Sequence, residues 1–334
     1  MINIFWFRRD LRIEDNTALY HALSAGLPIL PVFIFDEHIL EKLEDRHDKR
    51  IFFIHEEIRK LKLHLEKTGS SILVKYGKPE NVFNELIMTY SPVKVFANHD
   101  YEPYARERDE NIAHLLSSRG IQFKSYKDQV IFEKDEVMKE SGDPYTVFTP
   151  YSNRWKARFY ESGISQYPSE SLQDNFIKIQ PFPLPGLEEI GFYKTEIIIP
   201  SREINPELIR DYHMTRDIPS IIGTTRLSVH LRFGTISIRQ LAKAAAELNE
   251  VYLNELIWRE FYMMILWHFP YAAKRSFKAR YDGILWRNNE AEFEAWCAGM
   301  TGYPIVDAGM RELNSTGYMH NRVRMITASF LSKN

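Results

Sequence analysis

The sequence predicts two domains of different class: a doubly wound α/β domain with a parallel sheet, then an all-helical domain. Three observations carry this. Short β-branched and aromatic runs alternate with helix-length amphipathic stretches over residues 1–130. Residues 131–200 are interrupted by Gly142, Pro144, Pro150, Pro168, Pro181, Pro183, Pro185, Gly186 and Pro200 and read as an interdomain connector. After Pro200 the strand pattern stops, and residues 201–334 show helical periodicity alone.

In chain order, Ile2–Phe7 and Ile29–Phe35 read as buried strands because they are continuous apolar runs of strand length. Ile72–Val74, Val93–Phe96 and Phe123–Tyr126 repeat the pattern. Between the second and third runs, Ile51, Ile54, Ile58, Leu61 and Leu65 recur every three or four residues before Gly69, which predicts one amphipathic helix. The connector is expected to wrap over the surface with short helices of its own. Helices are then predicted over Ile238–Leu248, Leu253–Phe269, Ala291–Cys297 and Ile305–Leu313.

At 334 residues, with 44% hydrophobic, 26% charged and 13% aromatic content, the chain can build two cores and is not a disordered protein. No run of about 18 apolar residues occurs, and the amino end has neither the apolar core nor the cleavage site of a secretory signal, so no membrane is expected and the expected compartment is cytoplasmic. The single cysteine, Cys297, excludes an internal disulfide framework. The eleven histidines show no metal-ligand spacing, so no metal site is expected. The G-x-G-x-x-G and P-loop fingerprints are missing, which argues against an ordinary dinucleotide or P-loop enzyme. The net charge of −2 is uneven: residues 201–334 hold 17 Lys+Arg against 14 Asp+Glu. Lys274, Arg275, Lys278, Arg280 and Arg287 interleave with Tyr271, Phe277, Tyr281 and Trp286, a pattern shared by phosphate-tracking surfaces and ordinary solvated faces.

The densest group of chemistry-bearing residues is Tyr252 to Tyr262. On a helix Glu255, Trp258, Arg259 and Tyr262 share one face, opposite apolar Ile257, Phe261 and Met264. Two readings fit. One is a structural Glu255–Arg259 ion pair beside core aromatics. The other is a pocket wall presenting two flat rings, an acid and a guanidinium to a planar polar ligand. A second group is His320-Asn321-Arg322-Val323-Arg324-Met325, after a turn at Asn314–Gly317. Asn321 and Met325 share a helical face there, and Asn suits a base edge as well as a helix start. A third is Gly223-Thr224-Thr225-Arg226-Leu227-Ser228, either a diphosphate cradle or a plain capped turn.

Four segments together carry a resemblance: Phe5-Trp6-Phe7-Arg8-Arg9-Asp10-Leu11-Arg12 with Asp15-Asn16; Asn254 to Phe261; Thr301-Gly302-Tyr303-Pro304 to Arg311; and Asn321 to Met325. In content and order they resemble the photolyase/cryptochrome family from end to end, most of all class I cyclobutane pyrimidine dimer photolyases. The resemblance implies FAD in the helical domain and light-dependent repair of UV-damaged DNA by a monomer, through electron transfer to a flipped-out dimer. It assigns Glu255, Trp258, Asn321 and Met325 to the dimer. Tyr212, Thr224, Thr225, Arg226, Leu227, Ser228, Tyr252 and Arg324 fall to the flavin, with Tyr252 standing where class I members usually have Trp. Arg216, Arg259, Tyr262 and Arg322 fall to DNA, and Trp286 to an electron relay.

Tyr101-Glu102 is followed by Pro103-Tyr104-Ala105 where folate-binding relatives carry an Asn-Glu pair, leaving an antenna chromophore open between folate, deazaflavin and none. A cryptochrome-like photoreceptor that signals without repair is the alternative within the family, and a light-independent nucleotide-binding enzyme the alternative outside it. The last signature ordinarily continues beyond Ser329–Lys333, so a chain of 334 residues is expected to lack part of the flavin cradle and to hold flavin poorly.

Overall fold

A computed structural model describes residues 1–333. The amino-terminal part runs β1 (Asn3–Phe7), α1 (Thr17–Leu23), β2 (Ile29–Asp36), α2 (Glu37–Leu40), α3 (Lys49–Lys67), β3 (Leu73–Gly77), α4 (Pro79–Tyr90), β4 (Lys94–Asn98), α5 (Pro103–Ser117) and β5 (Gln122–Tyr126). The five strands form one parallel sheet in the order β3-β2-β1-β4-β5, so the chain starts at the centre and winds outward both ways. Every residue of β1 and β2 is buried, as continuous apolar runs require. Alternate side chains serve opposite faces: Phe5 and Phe7 pack with α1 and α3, Ile4 and Trp6 with α4 and α5.

The predicted helix around Ile51–Leu65 is α3. Asp48 caps it by accepting from Arg50 N at 2.8 Å, and Gly69, with φ of +77°, takes the left-handed turn that ends it. Ile51, Ile58, Leu61 and Leu65 are buried, while Ile54 is half-buried at the rim.

The connector departs from expectation. Its main element, α6 (Phe148–Ser162), is fifteen residues long and not a short surface helix. Pro150 does not break it, because it lies in the first turn, where no intrahelical acceptor awaits its nitrogen. Tyr151, Trp155 and Phe159, four residues apart, bury one stripe of α6 in the core of the helical part. The chain then returns along the sheet, where Phe176, Ile190 and Phe192 join the first core.

The remainder is helical: α7 (Pro206–Arg210), α8 (Tyr212–Thr215), α9 (Ser228–Phe233), α10 (Ile238–Leu248), α11 (Glu250–His268), α12 (Glu290–Ala298), α13 (Pro304–Thr316) and α14 (Asn321–Lys333). The turn placed at Asn314–Gly317 is a correction: Asn314 to Thr316 complete α13, and only Gly317, at φ of +74°, turns the chain. None of the described helices is long and apolar enough to cross a membrane.

A buried charge knot joins the two parts. Arg12 Nη2 donates to Asp128 at 2.8 Å and Arg12 Nη1 to the Gly234 carbonyl at 3.1 Å. Arg239 donates to Asp15 and to Asp128, each at 2.9 Å, and Ser237 donates to Asp15. Gly234 must be glycine: its φ is +64°, and a Cβ there would lie 2.2 Å from the Arg9 carbonyl oxygen. Burial alone would raise the Asp128 carboxyl, but Arg12 and Arg239 outweigh it and hold it below its ordinary value of 3.8.

Asp128→Asn leaves both guanidiniums without their shared acid and is expected to cost about 3–5 kcal/mol in urea denaturation. In the parent, the Asp128 contribution is present above the unfolded carboxyl's pKa and is lost as pH falls through the lower folded value; the variant loses that part of the acid slope.

Candidate functional site

A cavity of about 780 Å³ opens between the two parts. Its first-domain rim is α2 and the start of α3, through Ile39, Leu43 and Ile51; its other walls are the 224–229 segment, α11 and residues 317–324. Tyr212, Thr224, Thr225, Arg226, Leu227, Ser228, Tyr252, Glu255, Arg259, Asn321 and Arg324 line it. Residues singled out from three separate stretches of sequence therefore meet around one space.

The 224–228 segment is more than a capped turn. Arg226 has φ of +54°, a left-handed conformation unusual outside glycine, which turns the backbone into α9. Thr225 Oγ1 lies 2.8 Å from Tyr252 Oη, so the tyrosine hydroxyl ties this loop to α11. Thr224 Oγ1 lies 3.0 Å from Tyr318 Oη, and the Arg226 guanidinium stands 4.4 Å from the Tyr318 ring centre. Tyr318 is a wall residue that sequence reasoning missed; its only signal was its place beside the second group.

Helix α11 starts at Asn249, which caps it by accepting from Val251 N and Tyr252 N. The Glu255–Arg259 ion pair, one of the two readings of this face, does not form. Glu255 Oε1 accepts from Arg216 Nη1 at 2.6 Å instead. Arg259 turns inward, donating to the Gln129 carbonyl at 2.7 Å and the Leu231 carbonyl at 3.2 Å. Burial drives its pKa down to about 10, with Arg9 adding to the effect. Arg259 thus lines the cavity with two of its five N–H donors held by backbone carbonyls.

The buried acid of this helix is Glu260 and not Glu255. Glu260 accepts from Ile131 N and Phe132 N at 2.8 Å and from Trp155 Nε1 at 2.5 Å, fastening the connector and α6 to α11. Burial pushes its carboxyl up to about 7, against the pull of those three donors. Trp258 is stacked on Phe148, with ring centres 3.6 Å apart, so one of its faces is taken; its neighbour Tyr262 lies 5.6 Å away and is 62% exposed.

On α14, Arg322 Nε donates to Asp217 at 2.7 Å, and its Nη1 lies 3.8 Å from the Met325 sulfur. Met325 is 55% exposed outside the cavity lining. Arg324, by contrast, faces the cavity with no carboxylate in ion-pair range among the described residues. Trp286 stands 55% exposed in the irregular stretch between Asp282 and α12. At the sheet's carboxyl edge, Tyr101 donates to Glu133 and Tyr104 to Asp36, each at 2.7 Å, so both hydroxyls are engaged within the protein.

Chemically, the cavity offers what a nucleotide-like cofactor needs: hydroxyls and backbone N–H groups for a diphosphate, cations from Arg226 and Arg324 for its charge, and phenol rings for its flat parts.

Comparison with known proteins agrees. Residues 3–171 match the DNA photolyase family, and residues 252–334 match the FAD binding domain of DNA photolyase. The chain is 34% identical to the deoxyribodipyrimidine photo-lyase of Synechococcus over 358 residues, covering 99% of this chain and 74% of that protein. It resembles the crystal structure of a class III photolyase from Agrobacterium tumefaciens with a TM-score of 0.85 and 30% identity, over 99% of this chain and 72% of the other. It also resembles an archaeal photolyase from Sulfolobus tokodaii holding two FAD molecules, with a TM-score of 0.81 and 32% identity, over 100% and 75% of the two chains.

Tyr318→Ala removes one hydroxyl contact and one cation–π contact from the loop that lines the cavity. At about 1 kcal/mol each, flavin should be held roughly tenfold or more less tightly, read from visible absorbance per chain after dialysis.

Proposed function

The chain belongs to the DNA photolyase family, and from that premise we propose that it is a light-dependent lyase that splits cyclobutane pyrimidine dimers in UV-damaged DNA. The observation that carries the reading is Glu255, held by Arg216 at the cavity wall, on the helix whose same face carries the stacked rings of Trp258 and Tyr262. An acid fixed at the edge of an aromatic wall suits a flipped-out pair of bases, whose flat faces need stacking and whose polar edges need hydrogen bonds.

The FAD that the 224–228 loop and Arg324 would hold supplies, when bound and excited by light, a one-electron donor. The remaining work falls to this chain's side chains. A dimer pairs and stacks poorly, so it leaves the duplex at lower cost than intact bases do. Trp258, with one face already braced by Phe148, presents its remaining surface to the dimer rings. Asn321 offers both a donor and an acceptor to their polar edge. Glu255 holds Arg216 at the wall, and the Arg216 guanidinium supplies positive charge where negative charge grows on a dimer carbonyl. Met325, by resemblance, favours this lesion over the other main pyrimidine photoproduct. Arg216 and Arg322 supply sequence-independent affinity for the phosphate backbone.

Glu255→Ala should lower repair per absorbed photon by up to about a hundredfold, while dimer affinity falls much less, because the lost interaction strengthens only as charge develops. The test is light-driven restoration of thymine in a defined dimer-containing oligonucleotide. Equal yields for variant and parent would remove Glu255 from the reaction, and no restoration by the flavin-loaded parent would overturn the repair reading. Arg216→Ala and Arg322→Ala should each weaken binding to damaged and undamaged duplex and lower the slope of log affinity against log salt by about one unit.

A further inference from the structure

The two arginines read as phosphate contacts are already engaged. Asp217 Oδ1 accepts from Arg322 Nε at 2.7 Å and from Arg216 Nε at 3.4 Å, so a single carboxylate oxygen sits between two guanidiniums. Arg216 continues the row to Glu255 at 2.6 Å. The result is an alternating line of charge, Glu255, Arg216, Asp217, Arg322, assembled from α11, the end of α8 and the start of α14. The Asp217 side chain is 54% exposed, on the surface a DNA backbone would approach. The hydrogen bond from Arg322 holds its carboxyl below the ordinary range, so it is ionised at neutral pH.

An ionised acid on a phosphate-binding surface weakens binding to every duplex, because it repels the backbone and occupies the donors that the backbone needs. Asp217 contributes no burial to offset this. Its visible effect is on the arginines: it draws them together and keeps Arg216 aligned with Glu255. We infer that Asp217 is a positioning residue that sets lesion selectivity, fixing the spacing of Arg216 and Arg322 and penalising undamaged DNA. The inference rests on the repair reading above. Undamaged duplex brings only phosphates, which must compete with Asp217 for both arginines. A flipped dimer adds contacts at Glu255 and the aromatic wall that outweigh the competition. Selectivity then comes from a built-in repulsion as much as from attraction.

The test titrates the full chain, as parent, Asp217→Asn and Asp217→Glu, with one duplex that carries or lacks a single thymine dimer, in the dark and at several salt concentrations. Asp217→Asn should bind the undamaged duplex about threefold more tightly, the effect of removing one unit charge ~6 Å from a phosphate in water. Its affinity for the dimer duplex should be unchanged or lower, so the selectivity ratio falls about threefold or more; Asp217→Glu should restore the ratio. A structural role alone would lower both affinities together and leave the ratio intact. That result, or a ratio unchanged for any other reason, overturns the inference while the parent still prefers the dimer. A parent without preference for the dimer overturns the repair reading and the inference with it.

Discussion

The placement of everything else depends on one buried knot of charge, Arg12 and Arg239 clasping Asp128 and Asp15. Its members come from the loop after β1, the segment after β5 and the first turn of α10. Buried ion pairs contribute little net stability, since desolvation consumes most of the Coulomb gain, but an unpaired member is costly. That asymmetry makes the knot a registration device: any other docking of the helical part strands a charge. Gly234 reinforces it by allowing backbone contact where no side chain fits.

The knot also explains why the cavity lies where it does. Doubly wound sheets ordinarily bind ligands in the crevice at the carboxyl ends of their strands. Here that edge is filled: Asn98 donates to Asp10 at 2.6 Å and to Asn16 at 2.8 Å, Asp128 accepts from Thr17 N, and the 233–239 segment closes over them. The sheet therefore acts as a platform, and the ligand space forms between its α2–α3 side and the helical domain. This accounts for a doubly wound domain without a nucleotide fingerprint.

Helix α11 links the platform to the chemistry. Its two central acids point about 140° apart, as five residues on a helix dictate. Glu260 faces inward and fastens α6 and the connector, while Glu255 faces the cavity with Arg216. Arg259, between them, gives two of its donors to backbone carbonyls. A single helix thus separates a buried carboxylate that fastens the connector from one that lines the cavity, by geometry alone.

Much of this was legible in the sequence, because local periodicity records which face of an element is buried. The five strands, the helix beginning at Lys49 and the ends of α10 all follow from spacing. Four motifs in order sufficed for the family. The connector's prolines mask α6 in the sequence, because a proline in a first turn reads like a break, although the stripe Tyr151, Trp155, Phe159 marks the helix. What tertiary structure alone decided is who meets whom. Arg216 and Glu255 are 39 residues apart, Arg322 and Asp217 are 105 apart, and Phe148 reaches Trp258 from another segment of the chain. Spacing along one helix proposed Arg259 as the partner of Glu255, since it is the nearest opposite charge in sequence. The fold brings Arg216 to Glu255 instead, while Arg259 turns toward the Gln129 and Leu231 carbonyls, backbone acceptors supplied by segments distant in sequence.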